Sequence, residues 1–400
     1  MERVEEALSD LGHPERALPA VHVAGTNGKG STCAFVARAL EVAGRKVGLY
    51  TSPHLVRFNE RIQVNGRPIE DRTLGERVLE VLARYRRRDE RPFPLTFFEL
   101  GTLVAFQHFA EERVDVAVLE TGLGGRLDAT NCCQPQVTAI TPISFDHMEW
   151  LGHTLEAIAR EKAGILKPGV PCVCAAQPEE ALRVIESTAA SVGAPLRLQG
   201  RDFHLDPAME LSLRGPHQLQ NAAVARACLE VLGVPDEAAR EGLLTARWPG
   251  RLEEIPRHAS RGGPGGGGGG ERIAPLLLDG AHNPAGAQAL AAALDALYPG
   301  RRVHAVFGVL ADKDLDGMAR ALFPRCASLH LCPLPSPRSL APSAYAAGAQ
   351  TLCPDVRTYA GVGEALDGAT ALAGPDDVVL AAGSLVLVGD VRARLSPGRA

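Results

Sequence analysis

The sequence predicts a protein of the α/β class with two domains, each built around a mainly parallel β-sheet. Its 400 residues exceed what one hydrophobic core usually supports. Short apolar runs alternate with helical segments along the chain, a pattern typical of parallel strands that are covered on both faces. We therefore expect a larger first domain over residues 1–248 and a smaller second domain over residues 249–400.

The first domain is expected to begin with a strand, a glycine-rich turn and a helix that ends at Gly44. Ligands of parallel sheets collect at the carboxyl ends of the strands. Gly25, Ser52, Glu120 and Ser144 all lie at or just past predicted strand ends, so they mark a candidate ligand site. The predicted elements are a strand at 20–25, a helix at 31–44 and strands at 46–52, 114–125 and 136–144.

The second domain is expected to contain a sheet that is interrupted by a glycine-rich insertion. The segments "WPGRLEEIP" and "APLLLDGAHNP" are both typical of strands, and they flank the tract "RGGPGGGGGG" at residues 261–270. Nothing in this tract can pack, so we predict a flexible loop at the tip of a hairpin. Strands predicted at 275–280, 302–309 and 376–384, with helices between them, indicate a Rossmann-like domain.

The composition is that of an ordinary globular chain, with 46% hydrophobic and 22% charged residues. A net charge of −5 gives no general reason to expect nucleic acid or an anionic membrane as a partner. The acidic N-terminal segment is unlike a signal peptide, and no apolar run reaches the roughly 18 residues of a membrane helix. The nine cysteines include no C-x-x-C pair. We expect reduced thiols, no zinc site and a cytoplasmic protein.

The segment "VAGTNGKGST" resembles a phosphate-binding loop, because a strand, a glycine-rich turn, a lysine and a helix follow one another. It departs from G-x-x-x-x-G-K-[ST] at Val23, where a glycine is expected, and at Gly30, where a metal-binding hydroxyl is expected. A glycine-rich turn of no special function is the alternative. The residues predicted to bind the phosphates of ATP are Gly25, Thr26, Asn27, Gly28, Lys29, Gly30 and Ser31.

The segment "LETGLGGRLDATN" fails the dinucleotide-binding pattern, because Leu127 stands where the third glycine is required. Glu120, at the tip of the preceding strand, is a candidate Mg²⁺ ligand, although a carboxylate there could instead cap the following turn. Further along, Asp146, His147 and Glu149 follow another strand. His147 is either a metal ligand or a residue of a surface loop.

Two more segments have a plain structural interpretation beside a functional one. Taken alone, Lys162 lies in a helix that ends before Pro168, and such a lysine is expected at the surface. Asp279 and His282 lie between a strand and a helix. Their pattern is typical of an Asx turn with a helix cap, and also of a ligand site at a strand end.

Taken together, the motifs resemble those of the Mur-ligase superfamily of ATP-dependent amide-bond ligases. They are most similar to its folylpolyglutamate synthase/dihydrofolate synthase branch. The resemblance covers most of the chain, with the matching segments in the same order. These segments are "VAGTNGKGST", "TSPHLVRFNERIQVNG", "FFELGT", "LETGLGGRLDATN", "ISFDHMEWLG", "IAREKAGILKPG", "HQLQNAAVA", "WPGRLE", "LDGAHNP" and "ADKD".

The resemblance implies an ATP-binding P-loop ligase domain that holds two Mg²⁺ ions. The hydroxyl that Gly30 lacks would come from Ser52 in the "TSPH" segment, with Glu120 as the acidic ligand. A second metal would be held by His147 and by Lys162 in carbamylated form. Because carbamylation needs a neutral amine, it requires a lowered lysine pKa.

The resemblance also assigns the nucleotide, the acceptor and the catalytic groups. The second domain would be the glutamate-ligase domain. The mobile loop over the folate site in the family corresponds to residues 54–66. Core packing is the alternative role for Phe97 and Phe98. By resemblance, the catalytic residues are Lys29, His147 and Lys162, further nucleotide contacts are Asn221, Arg251, Asp279 and His282, and the folate (pterin) site is lined by Thr96, Phe98 and Asp128.

The implied reaction joins L-glutamate to a folate-type carboxylate, dihydropteroate or a reduced folate, through an acyl phosphate made from ATP. The partners would be these small molecules, with no nucleic acid or membrane, and the protein would be a monomer. Two alternatives remain at this point. One is a ligase of the same superfamily with another acceptor, and the other is a P-loop ATPase that does not ligate.

Overall fold

The computed structural model describes residues 1–86, 95–255 and 273–395. The chain divides into two compact units. The predicted division between residues 248 and 249 lies one residue from the boundary at Arg247 and Trp248. The glycine tract at 261–270 lies outside the described residues. The first unit comprises Met1–Leu213 and Gln218–Arg247, and the second comprises Arg214–His217 and Trp248–Ala400.

The first unit contains a sheet whose centre is parallel. Its strand order is β4-β3-β2-β5-β1-β6-β7-β8, with parallel pairing from β2 to β8 and antiparallel pairing of β3 and β4 at one edge. The strands are β1 (Pro19–Ala24), β2 (Val47–Tyr50), β3 (Ile62–Val64), β4 (Arg67–Pro68), β5 (Val116–Glu120), β6 (Gln134–Ile140), β7 (Cys172–Cys174) and β8 (Leu196–Leu198).

Helices pack against this sheet because its central strands are apolar on both faces. Strand β5 is buried along its whole length, and β1 is buried from its second residue onwards. The helices are α1 (Glu2–Asp10), α2 (Lys29–Val42), α3 (Asp71–Arg86), α4 (Phe97–Glu111), α5 (Met148–Leu151), α6 (Leu155–Ala163), α7 (Glu179–Val192), α8 (His217–Val231) and α9 (Asp236–Thr245), and 3₁₀ turns lie at Pro14–Ala17, Phe58–Arg61 and Ala129–Cys132.

Helix α2 begins two residues before the predicted start at 31. The turn ends at Gly28, whose φ of +88° lies in the left-handed region, so Lys29 is already helical. At the other end the cap residue is Ala43, and Gly44 follows it with a φ of +81°. The predicted glycine therefore stops the helix from the position just after the cap.

The second unit contains another mainly parallel sheet, with the order β13-β12-β11-β14-β10-β9. Strands β9 and β10, which flank the glycine tract, pair antiparallel, as predicted for one hairpin. The elements are β9 (Glu253–Ile255), β10 (Leu276–Leu278), α10 (Pro284–Leu297), β11 (Val303–Phe307), α11 (Leu315–Leu322), β12 (Ser328–Leu331), α12 (Ala346–Gln350), β13 (Val356–Thr358), α13 (Val362–Leu372), β14 (Val378–Ala382) and α14 (Leu385–Leu395), with 3₁₀ turns at Phe323–Arg325 and Pro342–Ala344.

Two findings bear on the expectations from composition. All nine cysteines, each within the described ranges, are free thiols. Of the helices that the structure describes, none has the length and apolar character needed to cross a bilayer.

A buried histidine in β1 gives the stability of the first unit a pH dependence. The His22 ring is fully buried, and burial, followed by the charge of Lys167, lowers its pKa from 6.5 to about 3. The folded protein thus favours the neutral ring. This contribution is complete above pH 6.5 and is lost as the pH falls towards the folded-state pKa.

We expect the free energy of unfolding to fall by about 2 kcal/mol more in the wild type than in His22→Gln between pH 7.5 and 5.0. Chemical denaturation at both pH values measures this difference. His153→Gln, which removes an exposed histidine, is the matched control and should behave as the wild type does. Equal pH dependence in the wild type and His22→Gln would contradict the assignment.

Candidate active site

The turn between β1 and α2 requires glycine at two positions. Gly25 and Gly28 have φ values of +147° and +88°. A Cβ atom at Gly25 would lie 1.9 Å from Thr141 Oγ1, and one at Gly28 would lie 2.2 Å from Asn221 Oδ1. Because the N-cap of α2 is a glycine, no N-cap side chain covers the first-turn amides. The helix start is thus suited to bind an anion.

The segment that follows β6 forms hydrogen bonds with the rest of this turn. The backbone N–H groups of Thr26 and Asn27 both donate to Pro142 O, at 3.0 and 3.3 Å. Thr26 Oγ1 donates to Ser144 O at 3.1 Å, and Asn27 Nδ2 donates to Ser144 Oγ at 3.3 Å. Gly25 and Ser144, predicted at strand ends, therefore belong to adjoining segments.

Helix α8 lies against the turn and contributes a residue that sequence reasoning missed. Asn221, a predicted nucleotide contact, packs on Gly28, and its Nδ2 donates to Gln218 Oε1 at 2.9 Å. Gln218 Nε2 in turn lies 3.4 Å from Ser31 Oγ. The available signal was the spacing of Gln218 and Asn221, two amides three residues apart and so on one face of the helix.

Lys29, Glu120 and Ser52 come together at the carboxyl ends of β1, β5 and β2. Lys29 Nζ donates to Thr26 O at 3.2 Å and lies 3.8 Å from Glu120 Oε1. Ser52 N donates to Glu120 Oε2 at 3.3 Å. The turn after Glu120 is capped by Asp128, which accepts from Gly122 N at 2.8 Å. The alternative role suggested for Glu120, capping the following turn, is thus filled by Asp128.

The prediction of a surface position for Lys162 is wrong. Its side chain is 5% exposed, and Nζ donates to Gly25 O at 2.7 Å. Burial, followed by the positive charge of Lys29, lowers the pKa of Lys162 to about 7. Helix α6 turns the face that carries Lys162 towards the phosphate loop, which the local sequence does not reveal. A large fraction of this amine is therefore neutral near pH 7.

His147 lies at the N-terminus of α5 with a φ of +51°. Its side chain is 43% exposed, and its Nε2 lies 3.9 Å from Asp146 Oδ1. Within residues 1–86, 95–255 and 273–395, no three His, Cys, Asp or Glu side chains form a group that could hold a metal. The predicted metal ligands are Ser52, Glu120, His147 and carbamylated Lys162. Only Glu120 and His147 belong to the four residue types named above, so the predicted ligand set differs in kind from such a group.

The residues predicted to line the folate site lie at the start of α4 and on the turn after β5. Thr96 is the N-cap of α4, where its Oγ1 accepts from Glu99 N at 3.2 Å. The Phe98 ring packs directly on Gly122, where a Cβ atom would lie 2.4 Å from it. The centroid of the Tyr50 ring lies 5.9 Å from that of Phe98. The partly buried Phe98 ring therefore lies between the buried Tyr50 ring and the glycine turn.

Phe97 does not belong to the core, so core packing is the wrong interpretation for it. Its side chain is 65% exposed and lies edge-on to Phe58, with ring centroids 5.1 Å apart. The Arg61 guanidinium lies over both rings, at 5.4 and 5.6 Å from the centroids of Phe58 and Phe97. Arg61 Nε also donates to His54 Nδ1 at 2.9 Å. The segment resembling the family's mobile loop thus carries a cation among aromatic rings.

Asp128 is buried, and its carboxylate is held by the chain itself. Oδ2 accepts from Gly122 N and Leu123 N at 2.8 and 2.9 Å, and Oδ1 accepts from Thr130 N at 3.0 Å and Thr130 Oγ1 at 2.5 Å. Burial raises the pKa of Asp128, while these hydrogen bonds act in the opposite direction. Direct contact of Asp128 with a substrate stays a prediction.

In the second unit, three predicted residues lie together at the end of β10. Asp279 Oδ1 accepts from Ala281 N at 2.9 Å, which is the Asx turn, and its Oδ2 accepts from Leu252 N at 2.9 Å. His282 Nδ1 is 2.8 Å from Gly280 O. Arg251 packs on Gly280, where a Cβ atom would lie 2.3 Å from Nη1. Their nucleotide-binding role stays a prediction.

Two family models match the chain. Residues 23–177 match the Mur ligase middle domain, and residues 269–385 match the Mur ligase glutamate ligase domain. The dihydrofolate synthase/folylpolyglutamate synthase of Bacillus subtilis is 37% identical over 427 residues, which cover 98% of this chain and 94% of that protein. The chain belongs to the dihydrofolate synthase/folylpolyglutamate synthase family of Mur ligases. The predicted family and enzyme class, an ATP-dependent carboxylate–amine ligase, are confirmed.

Solved structures of the family confirm the predicted fold. Mycobacterium tuberculosis folylpolyglutamate synthase, complexed with ADP and AMPPCP, superposes with a TM-score of 0.89 at 33% identity, over 100% of this chain and 95% of that chain. The bifunctional synthase of Yersinia pestis, complexed with AMPPNP and a Mn ion, gives a TM-score of 0.86 at 34% identity, over 98% of this chain and 93% of that chain. Both solved structures thus hold a nucleotide, and the second also holds a divalent metal ion.

Proposed function

We propose that this protein ligates L-glutamate to a folate-type carboxylate, dihydropteroate or a reduced folate, in a reaction driven by ATP. The observation that carries the proposal is Lys162, a buried amine with a pKa of about 7 that is 2.7 Å from Gly25 O of the phosphate loop. A nucleotide-binding turn alone would fit any P-loop protein. A buried, partly neutral lysine on α6 that donates to that turn fits the ligase branch that the family comparison supports.

Activation of the carboxylate makes the ligation possible, because oxide is too poor a leaving group for direct attack by an amine. A carboxylate oxygen attacks the γ-phosphorus, the bond to the bridging oxygen breaks, and ADP leaves. The glutamate amine then attacks the acyl carbon, phosphate leaves and the nitrogen loses a proton. Lys29 and the first-turn amides of α2 would bind the transferring phosphoryl group, so catalysis is mainly positioning and charge neutralisation.

The described oxygen atoms fit a hard divalent cation. Glu120 is a buried carboxylate that accepts a hydrogen bond from the backbone of Ser52, so the two residues are neighbours. Carboxylate and hydroxyl oxygens are ligands that Mg²⁺ prefers. We assign Ser52 and Glu120 to one Mg²⁺, and His147 with carbamylated Lys162 to a second. When bound, the metals supply positive charge to the phosphate oxygens.

Carbamylation of Lys162 is the chemical step that its environment favours. The neutral amine attacks carbon dioxide, a nitrogen–carbon bond forms and one proton is released. The product is an anion, whereas the unmodified ammonium would face the like charge of Lys29, the second cause of the lowered pKa. A carbamate would therefore reverse an unfavourable electrostatic interaction and add two oxygen ligands.

The acceptor and the nucleotide base would use the remaining predicted residues. Phe98 would stack on the flat pterin. Thr96, at the start of the same helix, and Asp128, at the glycine turn, would also line the pterin site. The first unit would be the ATP-binding domain and the second the glutamate-ligase domain, in a monomer. The further residues assigned to the nucleotide are Asn221, Arg251, Asp279 and His282.

Release of ADP with dihydropteroate or tetrahydrofolate, each with and without L-glutamate, tests the proposal. We expect turnover that requires both glutamate and at least one of the two acceptors. Turnover with amino acid that neither acceptor stimulates would indicate a ligase for another substrate. Turnover independent of both would indicate an ATPase and would overturn the proposal.

A further inference from the structure

A chain of buried side chains links β1 to the turn that follows β5. His22 Nε2 is 2.8 Å from Thr130 Oγ1, and Thr130 Oγ1 is 2.5 Å from Asp128 Oδ1. Asp128 then accepts from the backbone N–H groups of Gly122 and Leu123. The side chains of His22, Thr130 and Asp128 are all buried. The predicted functional residues do not include His22 or Thr130.

The direction of these hydrogen bonds follows from the acceptor at one end. A carboxylate can only accept, so the single hydroxyl proton of Thr130 is donated to Asp128, and the Thr130 oxygen must accept from His22. His22 therefore carries its proton on Nε2. Its Nδ1 has no hydrogen-bond partner among the described residues, as expected for a neutral ring of this tautomer. His22 is thus the donor at one end, Thr130 accepts and donates in the middle, and Asp128 is the acceptor at the other end.

The turn held by Asp128 lies between two parts of the proposed site. On one side Gly122 packs on the Phe98 ring, and on the other a Cβ atom at Gly125 would lie 2.8 Å from Lys162 O. Arg126 N donates to Glu161 O at 2.8 Å, which ties the turn to α6. A small shift of the turn would thus change the surface offered by Phe98 and its neighbours.

We propose that His22 and Thr130 act as positioning residues that place the 121–126 turn, through Asp128, at the folate-binding surface. This inference rests on the proposed function. A purely direct role of Asp128 is less favourable, because its side chain is 5% exposed and both of its oxygens are engaged by the chain. Strand β1 is held by backbone pairing with β5 and β6 on its two sides. Loss of the side-chain link therefore moves the turn and leaves the phosphate loop in place.

Thr130→Val tests the proposal, because it removes the hydroxyl and keeps the shape of the side chain. We expect the KM for the folate acceptor to rise about tenfold, as for a displacement of less than 1 Å in a binding surface. The KM for ATP should change less than about twofold, because the phosphate loop stays in place. Thr130→Ser, which retains the hydroxyl, should restore the wild-type KM for the acceptor. Unchanged acceptor KM in Thr130→Val, or a parallel rise for ATP, would overturn the proposal.

Gly122→Ala tests the same turn without altering the buried chain. The added methyl group would lie 2.4 Å from the Phe98 ring, so it should raise the acceptor KM in the same selective way, even if Thr130→Val does not fold. No change in acceptor KM for this variant would also overturn the proposal. If the wild type itself shows no turnover with dihydropteroate or tetrahydrofolate, the proposed function fails. If the wild type turns over these acceptors and the variants keep the wild-type acceptor KM, only this inference fails.

Discussion

Lys29→Ala is expected to abolish measurable ADP formation, a loss of at least about 10²- to 10³-fold in kcat. Lys29 is the first residue of α2, and its Nζ lies at the phosphate loop, 3.2 Å from Thr26 O and 3.8 Å from Glu120 Oε1. Alanine removes the positive charge that Lys29 would place on the transferring phosphoryl group. Steady-state release of ADP with acceptor and glutamate at saturation measures the loss.

A matched variant separates this effect from a general loss of lysine. Lys46 is more exposed and forms an ion pair with Glu112 at 2.7 Å, so Lys46→Ala should retain turnover close to that of the wild type. Lys29→Arg keeps the charge but changes its shape, and should recover only part of the activity. A fully active Lys29→Ala variant with wild-type folding would refute the assignment of the phosphate loop.

Lys162→Ala is expected to lose at least about 100-fold in kcat, because it removes a proposed metal-supporting group. The variant should fold, since alanine favours helices and lies in the last turn of α6. Formate, acetate or propionate should restore part of the activity, because a free carboxylate can occupy the space of the missing carbamate. The measurement is ADP release as a function of acid concentration, with circular dichroism as the test of folding.

The rescue has an internal control in Lys29→Ala. Short carboxylic acids cannot supply a positive charge, so they should leave that variant inactive and should not stimulate the wild type. A folded Lys162→Ala protein that no acid reactivates would count against carbamylation. High activity of Lys162→Ala without any added acid would count against a catalytic role for the residue.

The glycine turn, the end of α2 and the pairing of β9 with β10 were predicted correctly, because each depends on residues that are close in sequence. Gly25, Gly28 and Lys29 are contiguous with a strand and a helix, so the phosphate loop was predicted from one window of sequence. The end of α2 near Gly44 and the antiparallel pairing of β9 with β10 were likewise predicted, because a cap and a hairpin are decided by neighbouring residues.

Residues that depend on packing between distant segments were predicted incompletely. From its own segment alone Lys162 was expected at the surface, since an isolated amphipathic helix does not show which neighbour will cover it, and only the family resemblance gave it a role in the site. Phe97 and Phe98 are adjacent and equally apolar, yet one is exposed and the other lies on Gly122. Gln218 approaches Ser31 across 187 positions in the chain, and no local pattern gives that distance.

By itself, the sequence determined the α/β class, the glycine turn between β1 and α2, and the ligase family, because these depend on strand periodicity, glycine placement and ordered motifs. Only the tertiary structure decided the state of the groups within the site. It buries Lys162 beside Lys29, which lowers the lysine pKa to about 7. It also surrounds Asp128 with four donors from Gly122, Leu123 and Thr130. Protonation and positioning follow from burial and neighbouring charge, and the fold creates both by bringing distant residues together.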